Sequence, residues 1–185
     1  MANGRNMIAV TAGIDLLERA MQQGGAGAWN DMIDRLFALN VICTTWNDNK
    51  PAPPLSITLD FSDSDLSNRN LDNFDLRYAW MPGCNLAGSS LRRAQFGFVQ
   101  GCSFRGADLQ GALFEDADIT GCDFTDAKIA AMRFSDAWFE VGKPPIGLPE
   151  GVLDELRRFP KDAEADQQGV ASDADMTFSA RLIWV

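Results

Sequence analysis

Histidine is absent from all 185 residues. That removes Ser-His-Asp and Cys-His catalysis and the commonest metal ligand. Cysteine is sparse: Cys43, Cys84, Cys102 and Cys122 stand apart, with no CxxC pair, so the usual zinc and thioredoxin spacings are missing. No apolar run reaches the ~20 residues of a membrane-spanning helix. The stretch 7–14 is apolar but short, and Asp15, Glu18 and Arg19 follow it closely, so neither a membrane partner nor a secretory signal is expected. The chain is expected to be cytoplasmic, with reduced thiols. Positive charge is also in deficit. The formal charge is −10 and the sequence pI about 4.4, which argues against direct binding to nucleic acid phosphates.

What the chain does have is a period. A large apolar residue recurs every five positions at Phe61, Leu66, Leu71, Leu76, Met81, Leu86, Leu91 and Phe96. After a skip of three residues the series resumes at Phe104, Leu109, Phe114, Ile119, Phe124, Ile129, Phe134 and Phe139. Two residues before each centre lies a second site, small in the second half: Cys102, Ala107, Ala112, Ala117, Cys122, Ala127 and Ala137, with Met132 the exception. Residues two apart share one face of a strand, so both sites point inward. An odd period breaks the alternation, and each unit must turn a corner. Four corners would close a coil of twenty residues. Sixteen units would then make about four coils, stacked about 4.8 Å apart.

Segments such as Gly106-Ala107-Asp108-Leu109-Gln110 and Asp126-Ala127-Lys128-Ile129-Ala130 resemble the A(D/N)Lxx pattern of the pentapeptide-repeat family. The resemblance runs from about residue 59 to 139 and implies an all-β solenoid, the right-handed quadrilateral β-helix, with short helical flanks at both ends. Stacking at twenty residues predicts four inner ladders: Phe61, Met81, Phe104, Phe124; Leu66, Leu86, Leu109, Ile129; Leu71, Leu91, Phe114, Phe134; and Leu76, Phe96, Ile119, Phe139. The skip around Gly97–Gly101 is expected to be an outward bulge. Arg69, Phe74 and Met132 occupy small-residue sites, which predicts distortion there.

The flanks divide the chain further. Residues 1–58 are expected to form an N-terminal helical cap and a Pro-rich connector, with amphipathic patterns over 14–21 and 28–36. Gly27-Ala28-Trp29-Asn30 resembles a segment that precedes pentapeptide repeats, and its expected role is to cover the first coil. Residues 59–139 form the repeat. Residues 140–160 hold a capping helix, read over 149–159 from its initial Pro and Glu and its terminal Arg pair. Residues 161–185 form an acidic tail with an apolar end at 177–185, which could add a strand to a subunit or a partner.

No constellation points to catalysis, and no cofactor or metal site is expected. The expected function is a non-enzymatic protein-protein interaction scaffold, a small immunity or regulatory protein, acting on a protein partner as a monomer or homodimer. The alternative is a DNA mimic that binds DNA gyrase, as the family resemblance implies for some members. For that reading the candidate acidic face is Asp108, Glu115, Asp116, Asp118, Asp123, Asp126 and Asp136. Against it, residues 59–139 carry twelve acidic and seven basic residues, a net of −5. Tyr78, Trp80 and Phe98 are the candidate aromatic surface. Tyr78 and Phe98 lie twenty apart and are expected to stack, covered either by a flank or by a partner. Cys102 and Cys122 are expected to stack as well, as buried fillers or as a disulfide.

Overall fold

The protein is described by a computed structural model over residues 8–39, 41 and 55–159. Cys43, the connector 51–54, the acidic stretch 161–175 and the apolar segment 177–185 lie outside these residues.

Each five-residue unit is built by two local devices. The Asp or Asn just before the centre turns its side chain forward along the chain and accepts the N–H of the residue just after the centre. Asp60 accepts from Ser62 at 2.9 Å, Asp65 from Ser67 at 3.0 Å, Asn85 from Ala87 at 3.2 Å and Asp123 from Thr125 at 2.9 Å. Such Asx turns satisfy a backbone donor that a corner would otherwise strand. The residue two beyond the centre then takes a left-handed conformation. Asp63, Asn68, Asn73, Gly83, Gly88, Gly106, Gly111, Asp116, Gly121, Asp126 and Asp136 all do so, which is why Gly, Asn and Asp dominate the position. Arg93 and Ala131 take the same φ without that excuse.

Four ladders of parallel pairing run along the repeat. One joins Asp65, Asn85, Ser103, Asp123 and Ile146; a second joins Asn70, Ser90, Asp108 and Lys128. A third joins Asp75, Gln95, Leu113 and Arg133, and a fourth joins Asp60, Trp80, Phe98, Asp118 and Trp138. These pairings correct the expected stacking. Before the skip the offset is twenty residues, but across it Asn85 meets Ser103 and Ser90 meets Asp108, eighteen residues on. The skip is therefore a shortened unit, and no bulge leaves the ladder there. Val99 is fully buried and serves as a further centre, three residues after Phe96.

The inner columns that follow from these pairings are Phe61, Met81, Val99, Ile119, Phe139; Leu66, Leu86, Phe104, Phe124; Leu71, Leu91, Leu109, Ile129; and Leu76, Phe96, Phe114, Phe134. Ring geometry agrees with them. Phe96 stacks on Phe114 at 4.8 Å, Phe114 on Phe134 at 5.6 Å and Phe104 on Phe124 at 5.0 Å. The shortening is possible because Gly97 sits against the preceding strand, where a Cβ would come within 2.4 Å of the Arg77 carbonyl oxygen.

Fourteen of the sixteen predicted centres are buried; Ile129 and Phe134, in the last turn of the repeat, are only partly so. The small-residue column holds three stacked thiols. Cys84 donates to the carbonyl of Phe61 at 2.7 Å, Cys102 to that of Met81 at 2.9 Å and Cys122 to that of Val99 at 2.9 Å. Ser89 does the same to Leu66 at 2.7 Å. Cys84, Cys102 and Cys122 are unbridged, so of the two expected readings the buried fillers hold, and each acts as a small buried donor.

Strand β1 (Ile8–Ala12) precedes helices α1 (Ile14–Gln23) and α2 (Ala26–Ala38), and β2 (Leu55–Asp60), β3 (Asp75–Trp80) and β4 (Gln95–Phe98) follow. They form one parallel sheet in the order β1-β2-β3-β4. The sequence reading missed β1, which pairs along its whole length with β2 and extends the fourth ladder beyond the repeat. At the other end β5 (Trp138–Glu140) pairs with β6 (Arg157–Phe159), and α3 (Glu150–Glu155) lies between them. The helix expected over 149–159 thus stops early. Leu156 is extended, with ψ 145, and Arg157 donates its backbone N–H to Ala137 at 3.0 Å. A six-residue helix has little stability of its own, so sheet pairing takes its end.

The misfits in the repeat have a local explanation. Phe74 is buried against Trp29, ring centroids 6.2 Å apart, and Arg69 reaches Glu18 of α1 at 3.1 Å. Trp29 is fully buried, donates Nε1–H to the carbonyl of Asp75 at 2.7 Å and meets Phe61 edge-on at 6.1 Å. Asn30 donates to Asn73 O and accepts from Asp75 N, each at 2.9 Å. Arg69 and Phe74 stand at small-residue sites because there they face the N-terminal helices, whereas Met132 is partly buried against the core of the repeat.

Candidate interaction surface

The predicted acidic face does not assemble into a field of unpaired carboxylates. Asp108 is bound by Arg92 at 2.7 Å, with Lys128 at 3.8 Å, and Asp123 by Arg105 at 3.1 Å. Glu115 meets Arg133 at 2.7 Å, and Asp136 pairs with Arg157. The hydrogen bond from Arg92 holds the Asp108 carboxyl below its ordinary range. Asp123 is also lowered: desolvation, its largest single influence, raises it, but hydrogen bonds from Thr125 and Arg105 outweigh that. Asp116 and Asp126 are corner residues with left-handed φ. Partial burial, with Asp136 nearby, raises Asp116. Most of the carboxylates that made the sequence look like a nucleic acid mimic are turn formers or ion-pair partners.

Asp118 is different. Its residue exposure is 2%, although it lies on the outward side of its ladder between Phe98 and Trp138. Thr120 donates to it through Oγ1 at 2.6 Å and N at 3.1 Å, and Gln100 donates through Nε2. Thr120 Oγ1 in turn accepts from Glu140 N at 3.0 Å. This chain of bonds ties three successive turns together. Burial pushes the Asp118 carboxyl above its ordinary value despite these bonds.

The aromatic residues gather on the same ladder, though not in the expected pairs. The register between β3 and β4 shifts after Leu76, so Phe98 pairs with Trp80 and not with Tyr78. The Trp80 and Phe98 rings lie 5.6 Å apart. Tyr78 instead meets Phe37 of α2 at 5.5 Å, with the Arg77 guanidinium 5.5 Å from its ring centre. Tyr78, Trp80, Phe98 and Trp138 are all half-buried. The other ladders carry mostly small or polar groups at the equivalent outward position, such as Asn85, Ser103, Ser90 and Gln95. The sequence signal for the pairing is the apolar Val99 five residues before Phe104, which a count carried forward from Phe96 passes over.

Among the described residues, no group of three metal-ligating side chains comes together, and no helix is long and apolar enough to cross a membrane. The geometry defines a class: five-residue units joined by ladders of parallel pairing, with helices before and after them in the chain. The sequence profile of pentapeptide repeats matches residues 70–100 and 100–136, in eight copies. Residues 70–136 thus carry pentapeptide repeats, and proteins built of such repeats form right-handed β-helices. Solved structures that match include a pentapeptide repeat protein from the cyanobacterium Cyanothece, at 18% identity and TM-score 0.40, covering 62% of this chain and 70% of that one. Another is a pentapeptide repeat protein of the Arabidopsis thaliana thylakoid lumen, at 31% identity and TM-score 0.29, covering 42% and 52%. A third, from Nostoc, has 18% identity and TM-score 0.31, covering 70% and 94%. No curated protein sequence matches the chain significantly.

Proposed function

We propose that the four ladders close into a four-sided helix of about four coils, capped by the flanking helices, and that this body is a non-enzymatic scaffold that presents one face to a protein partner. The observation that carries the reading is the concentration of outward aromatic side chains on a single ladder. Trp80, Phe98 and Trp138 alternate there with the hydrogen-bonding groups of Gln100, Thr120 and Glu140, while carboxylates elsewhere are held in turns and ion pairs. Amphipathic aromatics beside a few polar groups make the chemistry of a protein interface. A rigid backbone tied by inter-turn hydrogen bonds loses little entropy on binding.

The test uses the full chain as bait in a lysate of the source organism, beside a Phe98→Ser variant of unchanged circular dichroism. A protein retained by the wild type and lost with the variant supports the scaffold. Capture that ignores Phe98, or measurable turnover of a substrate by the purified chain, overturns it.

A further inference from the structure

The last turn of the repeat is continued on two of its ladders and left open on the other two. On the continued pair, Gly121 donates its N–H to Lys143 and Phe124 to Ile146, each at 2.8 Å, and β6 pairs with β5. The other pair is bonded in the same way one turn earlier. Leu109 donates to Lys128 and Gly111 to Ala130 at 2.9 Å, Phe114 to Arg133 at 2.8 Å and Asp116 to Ser135 at 2.9 Å. Their successors Ile129, Ala131, Phe134 and Asp136 donate no backbone N–H to any described residue, and the carbonyls of Ala127 and Met132 accept from none. The inward side chains at this place, Ala127, Ile129, Met132 and Phe134, are only partly buried.

Helix α3 crosses this end without filling the two edges. Asp123 to Trp138 takes fifteen residues, whereas their ladder partners Ile146 and Arg157 are joined by a path of eleven, six of them in α3. A helix rises only about 1.5 Å per residue. The chain therefore cuts across the end, where Val152 and Leu153 pack on the core, and forms none of the missing ladder bonds. A helix turns its backbone groups on itself and has few to give to a strand edge, while an open edge readily takes up another strand.

Beyond Phe159 the sequence returns twice to the small, polar, large order of the repeat units, at Ala174-Asp175-Met176 and at Ala180-Arg181-Leu182. Two such units match two open ladder ends. The fifteen residues from Phe159 to Ala174 can reach about 50 Å, ample to pass around sides of five residues each. Met176 and Leu182 are six apart, which leaves one additional residue for the corner between them. The repeat already accepts a changed count between Phe96 and the buried Val99.

We propose that the two open ladder ends are a docking site for residues 174–182 of the same chain, which add one parallel segment to each, with Met176 over Ile129 and Leu182 over Phe134. Asp175 then stands over Lys128, an opposite charge, and Arg181 over Arg133, which is already paired with Glu115 at 2.7 Å. Phe134 gains a neighbour but no ring beyond it, so it stays less enclosed than Phe114. The inference rests on the four-sided reading proposed above, and the amides of Leu109 and Phe114 report on that reading separately.

Amide hydrogen exchange of the full chain, followed residue by residue, tests this. The N–H groups of Ile129, Ala131, Phe134 and Asp136 should be protected in the wild type. Deleting residues 174–185 should speed their exchange by at least about tenfold, and so should Met176→Asp/Leu182→Asp in the full-length chain, while Leu109 and Phe114 keep their rates. Wild-type exchange at the four positions as fast as that of unbonded amides overturns the proposal. So does protection that survives the deletion, or a loss spread equally over Leu109 and Phe114. Protection that falls on dilution from about 200 to 5 μM also overturns it, because a second copy would then supply the strand.

Discussion

Backbone conformation and burial act on single residues here, and each leaves a measurable trace. Ala131 holds φ 58, a conformation that costs a residue with a Cβ roughly 1 kcal/mol. Ala131→Gly should therefore raise stability by about 0.5–1 kcal/mol in urea unfolding. Gly106→Ala, at φ 63 with nothing within 4 Å of the added Cβ, should lower it by a similar amount. Asp118 offers a second test. Its folded pKa is raised above the ordinary 3.8, so the folded state holds its proton more tightly than the unfolded state. The sign follows: this site favours folding below about pH 4, and that advantage is lost as pH rises through the folded pKa. Asp108, with a lowered pKa, works in the opposite direction and favours folding above the ordinary value. The urea midpoint of the wild type relative to Asp118→Asn should fall as pH increases from about 4. A difference that stays flat would mean that Asp118 titrates like a free carboxylate.

At the scale of elements, stability depends on how each ladder is terminated. Phe114 is fully buried between Phe96 and Phe134, so Phe114→Ala should cost about 3–5 kcal/mol. Phe134 is only partly buried, because the ladder pairings of Lys128 and Arg133 continue no further and α3 takes the place of another strand turn. Phe134→Ala should cost distinctly less, and equal losses in thermal melting would contradict the columns assigned here. The N-terminal helices are held by a few groups. Asn30→Ala would strand the N–H of Asp75 and the carbonyl of Asn73, at a cost of about 1–3 kcal/mol. Hydrogen exchange should then show faster opening in α1 and α2 while the ladder amides beyond Gln95 stay protected.

For the whole molecule, charge and shape point in different directions. The chain is strongly acidic, with a formal charge of −10, but the repeat spreads that charge over turns and salt bridges. A nucleic acid mimic needs regularly spaced negative charge that a partner can reach. Arg92, Arg105, Lys128 and Arg133 interrupt it on three ladders. In a supercoiling assay with DNA gyrase, a large excess of the chain at low salt is expected to cause neither inhibition nor protection from a quinolone. Inhibition that weakens with added salt would reverse that reading.

Residues 61–139 declared themselves by spacing, because a five-residue period with inward pairs two apart admits few structures. The helices of the N-terminal flank were legible from amphipathic patterns, and Trp29 from its short motif. Spacing also exposed Phe74 and Arg69 as misfits, although their reason lay in Trp29 and Glu18, more than forty residues away in the chain. What the tertiary structure alone decided was register. Whether three residues after Phe96 loop out or form a short unit depends on how closely two strands can approach at Gly97, and Val99 reads as a loop residue until its burial is known. That one choice moved every column beyond it, paired Phe98 with Trp80 and stacked Cys84 on Cys102. Pairing likewise ended α3 at Glu155 and turned Arg157–Phe159 into a strand. The period of a solenoid is a local property that sequence carries, whereas register is a non-local sum of contacts between turns.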